Sequence, residues 1–217
     1  MNADNDIKKS YKFFKTFLFF FHWLSASCSL AFLIVLNDFI VIWIGQENIL
    51  GIDVLIAIVI NFYIQNVINP VWIYRETLGL FKQIKYIMIY AALINLVFSI
   101  TLGLQWGMAG ILVSTAIGRI LTTVWFEPLL LFKKIFKISV RNYWLRQAKY
   151  FFTTIIVVYV VMLITKGMPQ SIMYIIIKVI IAFALVSAAF VIVNRKSEEY
   201  LMFRDYIQVM IRRFTSY

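Results

Sequence analysis

The apolar residues of this chain fall into six long runs, separated by shorter segments that carry most of the charge. A helix that crosses the hydrocarbon core of a bilayer needs about 20 mostly apolar residues, because each residue rises only about 1.5 Å. The pattern predicts six spans, at residues 16–36, 54–74, 84–104, 108–132, 151–165 and 172–193. Strands are excluded for these runs, since an open sheet leaves backbone donors unpaired in lipid. The predicted fold class is all-α, a polytopic membrane helical bundle.

Lysine and arginine are distributed unevenly between the two sides of this predicted bundle. Four segments, 8–15, 75–85, 133–149 and 195–213, hold 18 of the 21 basic residues, whereas the opposite side keeps only Lys166. This bias predicts that the N and C termini both lie in the cytoplasm, with residues 1–15 as a basic cytoplasmic segment. The first outer loop instead carries the acids Asp38, Glu47 and Asp53.

Composition agrees with a lipid environment. The chain is 63% hydrophobic and only 14% charged, which is too apolar for a soluble domain of 217 residues. The net charge of +11 sits at the ends of apolar runs, so it predicts membrane lipid headgroups as the partner and no nucleic acid. The single cysteine, Cys28, excludes a disulfide framework or a cysteine metal site within one chain.

The C-terminal segment 194–217 has the pattern of an amphipathic helix. Apolar residues recur there at three- and four-residue spacing, with basic and acidic residues between them. Such a helix is expected to lie on the inner leaflet. Docking of a cytoplasmic partner is the alternative.

The second span carries the densest set of polar side chains. Asn61, Gln65 and Asn69 are spaced by four residues, and Trp72 falls in the same sector of the helix. Polar groups within a span must face another helix or a wet cavity. Two interpretations stay open: hydrogen bonds between helices, or contacts with a bound ligand.

Arg119 lies eleven residues past Met108, which places it roughly 17 Å along the fourth span and near the middle of the bilayer. An arginine at that depth costs about 2.5 to 3.5 kcal/mol on insertion scales, so it is expected to face a polar interior or a partner. The alternatives are an anionic ligand and a structural ion pair. Glu127 lies two turns away, but Lys133 and Lys134 are expected to compete for it.

Two further titratable residues fall within predicted spans. Lys178 is about one and a half turns inside the outer end of the last span, and we expect its ammonium to snorkel to the headgroups. His22 shares its span with three serines and Cys28, small residues that permit close helix packing. A proton-relay role for His22 is the alternative.

Catalytic chemistry finds little support in the sequence. It contains no HExxH, G-x-S-x-G or Walker-type motif and no cysteine and histidine cluster. We therefore expect no enzyme, no cofactor and no metal site.

Several local patterns together resemble a known family. They are FIVIWIG at residues 39–45, NLVFSI at 95–100, WGMAGI at 106–111, STAIGR at 114–119 and WFEP at 125–128. In this order and within a six-span frame they resemble the C-terminal half of polysaccharide repeat-unit flippases, the Wzx-type members of the multidrug/oligosaccharidyl-lipid/polysaccharide exporter superfamily. The resemblance runs over almost the whole chain.

The resembling segments also have a physical role in packing. Gly103, Gly107 and Gly110 allow a tight outer turn and close approach of the third and fourth helices. Asn95 and Ser99, four residues apart, are placed to bond across that contact.

The resemblance implies a two-bundle fold around a central cavity, in the cytoplasmic membrane. Such proteins move an undecaprenyl-pyrophosphate-linked oligosaccharide to the outer leaflet for surface polysaccharides such as O-antigen or teichoic acid. By position and chemistry, Arg119 would then meet the pyrophosphate and Asn61, Gln65 and Asn69 the sugar hydroxyls. Trp72 is a further candidate for substrate binding.

The chain departs from the family in length. Typical members have twelve to fourteen spans, and six spans correspond to the last six of fourteen. The expectation is a truncated or split portion that assembles with the missing N-terminal half or another glycan-assembly protein. The alternatives are a non-transporting scaffold for glycan-assembly enzymes and, more distantly, a membrane glycosyltransferase or acyltransferase.

Overall fold

The computed structural model describes residues 3–215, so the outermost residues of the predicted segments 1–15 and 194–217 lie outside it. Within that range the regular structure is entirely helical, which confirms the all-α class. The α-helices are α1 (Ala3–Ile44), α2 (Ile52–Thr77), α3 (Phe81–Leu121), α4 (Thr123–Leu131), α5 (Arg141–Thr165), α6 (Ile172–Asn194) and α7 (Glu198–Thr215). A 3₁₀ turn, Gln46–Asn48, joins α1 to α2, and a π-helical turn, Phe132–Phe136, follows α4.

Helix α3 reverses direction at Gly107, where φ is 57° and ψ is −133°. Only glycine adopts this backbone conformation without strain. The two limbs of α3, residues 81–106 and 108–121, then run antiparallel. They approach so closely that a Cβ built on Gly110 would lie 2.1 Å from the carbonyl oxygen of Leu102. The reversal separates the two spans predicted at 84–104 and 108–132, and Thr122 interrupts the second of them before α4 begins.

Five helical stretches of the described chain are long and apolar enough to cross a membrane. One of them, Phe81–Phe136, turns back at Gly107, so the stretches provide six helical limbs. Large apolar side chains face outward along these limbs: Leu104 is 84% exposed and Met173 is 70% exposed. Outward apolar surface of this extent indicates a multi-pass membrane protein.

Helix α1 occupies the centre of the bundle and packs against α2, α5, α6 and α7. Ser25, Ala26 and Ser27 are fully buried on it. Small residues at such contacts let helices approach closely, which matters in lipid because apolar burial between helices is not itself a driving force there. The apolar core shared by α1, α5 and α6 contains Phe19, Ala26, Leu30, Tyr150, Val157, Val161, Ala182, Val186 and Phe190.

A second, aromatic core closes one end of the bundle. The Phe14 ring lies 5.1 Å from that of Tyr74, 5.2 Å from Phe136 and 5.8 Å from Phe132, measured between centroids. These contacts bring the start of α1, the end of α2 and the π-helical turn together. The basic segments at 8–15, 75–85 and 133–149 therefore share one end of the bundle, while its cytoplasmic orientation stays a prediction.

Helix α7 returns to this same end and is held there by ion pairs. Glu198 pairs with Lys12 at 2.8 Å and with Lys15, and Glu199 pairs with Arg146 at 3.3 Å. Hydrogen bonds from Lys12 and then Lys15 lower the pKa of Glu198 to about 2. The predicted amphipathic tail is thus tied to α1 and α5 through its first turn.

The opposite end contains an ion pair between Lys178 and Asp38, which the sequence did not predict. Lys178 is 5% exposed, and its Nζ lies 2.5 Å from Asp38 Oδ2. The prediction that Lys178 snorkels to the headgroups is wrong, because α1 continues to Ile44 and brings the Asp38 carboxylate to it. Asp38 accordingly belongs to a helix, where a loop position was expected.

Candidate functional site

A cavity of about 680 Å³ opens between α2, the two limbs of α3 and α4. We call it the polar cavity. Its charged side chains are Arg75, Glu76, Arg119 and Glu127, and its remaining wall includes amide, hydroxyl and indole groups. Three of these segments, α2, the second limb of α3 and α4, therefore bring ionisable residues from distant parts of the sequence to one place.

Arg119 reaches the polar cavity from the second limb of α3. Its Nη2 donates to Gln65 Oε1 at 3.2 Å, and its Nη1 approaches the backbone oxygen of Asn61 at 3.5 Å, which is a weak contact. The guanidinium is half-buried. Both partners are neutral, and no carboxylate of the described chain lies within ion-pair distance of Arg119.

Asn61 acts chiefly as a contact between helices. Its Nδ2 donates to the backbone oxygen of Leu112 at 2.6 Å and to that of Ala57 at 3.0 Å. Its Oδ1 is buried and has no hydrogen-bond partner among the described residues. The amide group thus joins α2 to the second limb of α3, and only the Asn61 backbone carbonyl is directed to Arg119.

The other two predicted residues of α2 diverge in position. Trp72 lines the polar cavity, and its buried Nε1 has no hydrogen-bond partner in the described part of the chain. Asn69 is half-buried and is not part of the cavity wall. Of the four predicted residues, Trp72 alone lines the cavity, Asn61 and Gln65 border it through their contacts with Arg119, and Asn69 is not among the lining residues.

Arg75 and Glu127 form an ion pair that the sequence analysis missed. Arg75 Nη1 lies 3.0 Å from both carboxylate oxygens of Glu127, and its Nη2 lies 3.0 Å from Glu76 Oε1. The Arg75 guanidinium also lies 5.8 Å from the Trp72 ring centroid. The expectation that lysines of the next loop take Glu127 is wrong, because α2 extends to Thr77 and carries Arg75 up to the Glu127 carboxylate.

The residues predicted to pack the α3 hairpin also contribute to the cavity wall. Asn95 Nδ2 donates to Thr115 Oγ1 at 3.3 Å, and Ser99 Oγ lies 2.9 Å from Asn95 Oδ1 and 2.6 Å from Ser114 Oγ. A Cβ built on Gly103 would lie 3.0 Å from the Ile111 side chain. Asn95 and Ser99 face the polar cavity as well, so one hydrogen-bonded strip joins the hairpin limbs and supplies polar wall.

The side chains of the polar cavity can bind a ligand through charge and hydrogen bonds. The Arg75 guanidinium is paired with the carboxylates of Glu127 and Glu76, whereas the Arg119 guanidinium stands beside neutral amide groups. Among the described residues no group of three histidine, cysteine, aspartate or glutamate side chains is placed to hold a metal ion. The arrangement suits an anionic group with hydroxyls attached, since arginine pairs well with phosphate oxygens.

Comparison of the chain with models of protein families, with curated proteins and with solved structures finds no match.

Proposed function

We propose that this chain is part of a flippase that moves lipid-linked oligosaccharide repeat units across the cytoplasmic membrane for surface polysaccharide synthesis. The observation that carries the proposal is Arg119, a cation that lines a polar cavity and has only neutral partners there. The sequence predicts that this cation lies near the middle of the bilayer. A charge at that depth is stabilised by a counter-charge. A pyrophosphate-linked substrate brings that counter-charge in its head group.

The polar cavity offers the other groups that such a substrate needs. Gln65, Asn95, Ser99 and the Trp72 indole line it or border it, and all of them form hydrogen bonds with hydroxyls readily. Its volume of about 680 Å³ falls within the range of small-molecule pockets. That is enough for a diphosphate and the first sugar, and not for a whole repeat unit.

The remaining cavity wall is supplied by another protein in this proposal. The first limb of α3 packs against its own second limb, and most of its residues are exposed or half-buried. A second helical bundle would cover these exposed residues and enclose the substrate. Transport is accordingly assigned to the assembly.

Substitution of Arg119 by glutamine tests the proposal. Fluorescent undecaprenyl-pyrophosphate-linked oligosaccharide is reconstituted in proteoliposomes with the chain and its partner half, and its transfer between leaflets is followed by quenching. We expect Arg119→Gln to slow transfer at least tenfold, because loss of one charge-assisted hydrogen bond amounts to about 1.5 to 3 kcal/mol. The matched control is Arg195→Gln, which removes an exposed arginine at the end of α6 and should leave transfer unchanged. Equal rates for both variants would remove Arg119 from the mechanism.

A non-transporting scaffold for glycan-assembly enzymes is the second candidate. It is favoured by the Asn61 amide, which is engaged in a contact between α2 and α3. A scaffold predicts that deletion of the chain stops glycan assembly, whereas Arg119→Gln has no effect. The flippase proposal predicts that both changes stop it.

A further inference from the structure

A cavity of about 440 Å³ lies at the basic end of the bundle, and we call it the basic cavity. It is formed by the segment that joins α4 to α5, and its wall includes Lys133, Lys137, Ser139, Leu129 and Ile138. This segment follows one helical stretch of membrane-spanning length and precedes the next. The basic cavity therefore lies where the head groups of a bilayer are expected.

The two lysines of the basic cavity have no counter-charge within the described chain. Both side chains are exposed, and no carboxylate of the described residues lies within ion-pair distance of Lys133 or Lys137. By contrast, Lys12, Lys15 and Arg146 at the same end are paired with the acids of α7. Helix α5 begins directly after this segment, so the positive end of its dipole adds to the charge. The basic cavity thus carries positive charge that an anion can neutralise.

The backbone that shapes the basic cavity is irregular at two places. The turn Phe132–Phe136 is π-helical, a conformation that is rare in proteins and frequent at functional sites. Lys137 follows it with φ 53° and ψ 34°, a left-handed conformation that glycine adopts at lower cost. Among the described residues it is the one non-glycine residue with a positive φ. A lysine held in this conformation indicates a role for its side chain that glycine could not fill.

The wall selects a phosphate group that is attached to an apolar chain. Ammonium and hydroxyl groups donate to phosphate oxygens, and Ser139 Oγ, which accepts from the Arg141 backbone N–H at 3.2 Å, keeps its own proton to donate. Leu129 and Ile138 are 46% and 45% exposed in the same wall. A soluble phosphate gains nothing from these apolar side chains, whereas a lipid buries the beginning of its chain against them.

We propose that the basic cavity binds the head group of one anionic glycerophospholipid, with Lys133 and Lys137 on its phosphate oxygens and the beginning of an acyl chain along Leu129 and Ile138. Basic residues at this end attract anionic lipid in general, whereas the basic cavity holds one molecule at a defined place. It shares no lining residue with the polar cavity. The proposal does not depend on transport activity.

Native mass spectrometry of the delipidated full chain in detergent, titrated with phosphatidylglycerol, tests the assignment. We expect Lys133→Gln with Lys137→Gln to weaken the first binding step at least about tenfold, because two charge-assisted hydrogen bonds to phosphate are lost. The matched control is Lys8→Gln with Lys9→Gln, which removes two exposed lysines of α1 at the same end and should leave that step unchanged. Equal affinities in the two double variants would overturn the proposal.

Two competitors distinguish a lipid from its parts. Glycerol phosphate has the phosphate charge without an acyl chain, and phosphatidylcholine has the chains with a cationic group beside its phosphate. Neither should displace bound phosphatidylglycerol when it is added at the same concentration. Displacement by glycerol phosphate would assign the cavity to a soluble phosphate, and displacement by phosphatidylcholine would assign it to the hydrocarbon chain alone. Either outcome would contradict the proposal.

Lys137→Gly separates a binding role from a purely structural one. Glycine relieves the left-handed conformation, so the variant should unfold at a higher temperature, and it lacks the ammonium, so phosphatidylglycerol should bind several-fold more weakly. A lysine that only stabilises the end of a helix predicts lower stability and unchanged lipid affinity, which would refute the proposal. Arg119→Gln should leave phosphatidylglycerol binding unaltered, which separates this test from that of the proposed function.

Discussion

The buried ion pair between Arg75 and Glu127 allows a quantitative prediction. Glu127 has a side chain only 1% exposed and Arg75 one that is 11% exposed, and two contacts of 3.0 Å join them. Removing one member of such a pair leaves an uncompensated buried charge and costs about 3 to 5 kcal/mol. Since Glu76 retains a contact with Arg75, we expect Glu127→Gln to lie near the lower value, about 3 kcal/mol.

Replacing both members should largely restore stability. Arg75→Met with Glu127→Leu substitutes apolar groups for the pair, a change that is often neutral or stabilising. We expect the double variant to lie within about 1 kcal/mol of the parent. The cycle of parent, Arg75→Met, Glu127→Leu and the double variant should give a coupling free energy of about 2 kcal/mol or more.

Unfolding in mixed detergent micelles, followed by circular dichroism and tryptophan fluorescence, measures these differences. Trp72, one of the six tryptophans, stands next to the pair. The matched control is Arg204→Met, which breaks an ion pair of the same 3.0 Å length whose members are 49% and 62% exposed, and should change stability by less than about 1 kcal/mol. If the two single substitutions changed the free energy of unfolding additively, or if Glu127→Gln lost no more stability than the control, Arg75 and Glu127 would not form a coupled, buried ion pair.

Three further predictions follow from other parts of the bundle. Lys178→Met should destabilise the protein by about 3 kcal/mol in the same unfolding assay, because it leaves Asp38 buried without its partner, and Asp38→Asn added to it should recover most of the loss. Gly110→Leu should prevent the α3 hairpin from closing, seen as loss of protection in hydrogen exchange of both limbs, since no space exists for a Cβ. The lowered pKa of Glu198 stabilises the docked position of α7 at pH values above about 4.5, the pKa of an unpaired glutamate, and this contribution is lost as the pH falls towards about 2. A spin-label distance between α1 and α7 should therefore lengthen over that pH interval in the parent and stay constant over it in Glu198→Gln.

The helical limbs could be predicted from the sequence, because each is a run of apolar residues and the solvent dictates helix for such runs. The turn at Gly107 could also be predicted, since glycines cluster there between two apolar stretches. Helix ends could not: α1 runs from Ala3 to Ile44, well beyond the predicted span 16–36, because a helix can continue past the apolar run that predicts it.

Ion-pair partners could not be predicted, because they depend on how the helices are arranged. Arg75 and Glu127 are 52 residues apart, and Lys178 and Asp38 are 140 apart. Position along one helix placed Arg119 at mid-depth, yet gave no means of seeing that Gln65 would be its partner. Helical spacing grouped Asn61, Gln65, Asn69 and Trp72, whereas only Trp72 of these four lines the cavity, and Asn61 and Gln65 reach it through Arg119.

We propose that Arg119 stabilises an anionic, lipid-linked head group within the membrane. The affinity of the purified chain, in lipid nanodiscs, for undecaprenyl pyrophosphate without a glycan tests this role when the parent is compared with Arg119→Gln. We predict at least a tenfold weaker affinity in the variant, with the stability of the protein unchanged. Equal affinities in the two proteins would show that Arg119 does not bind the head group.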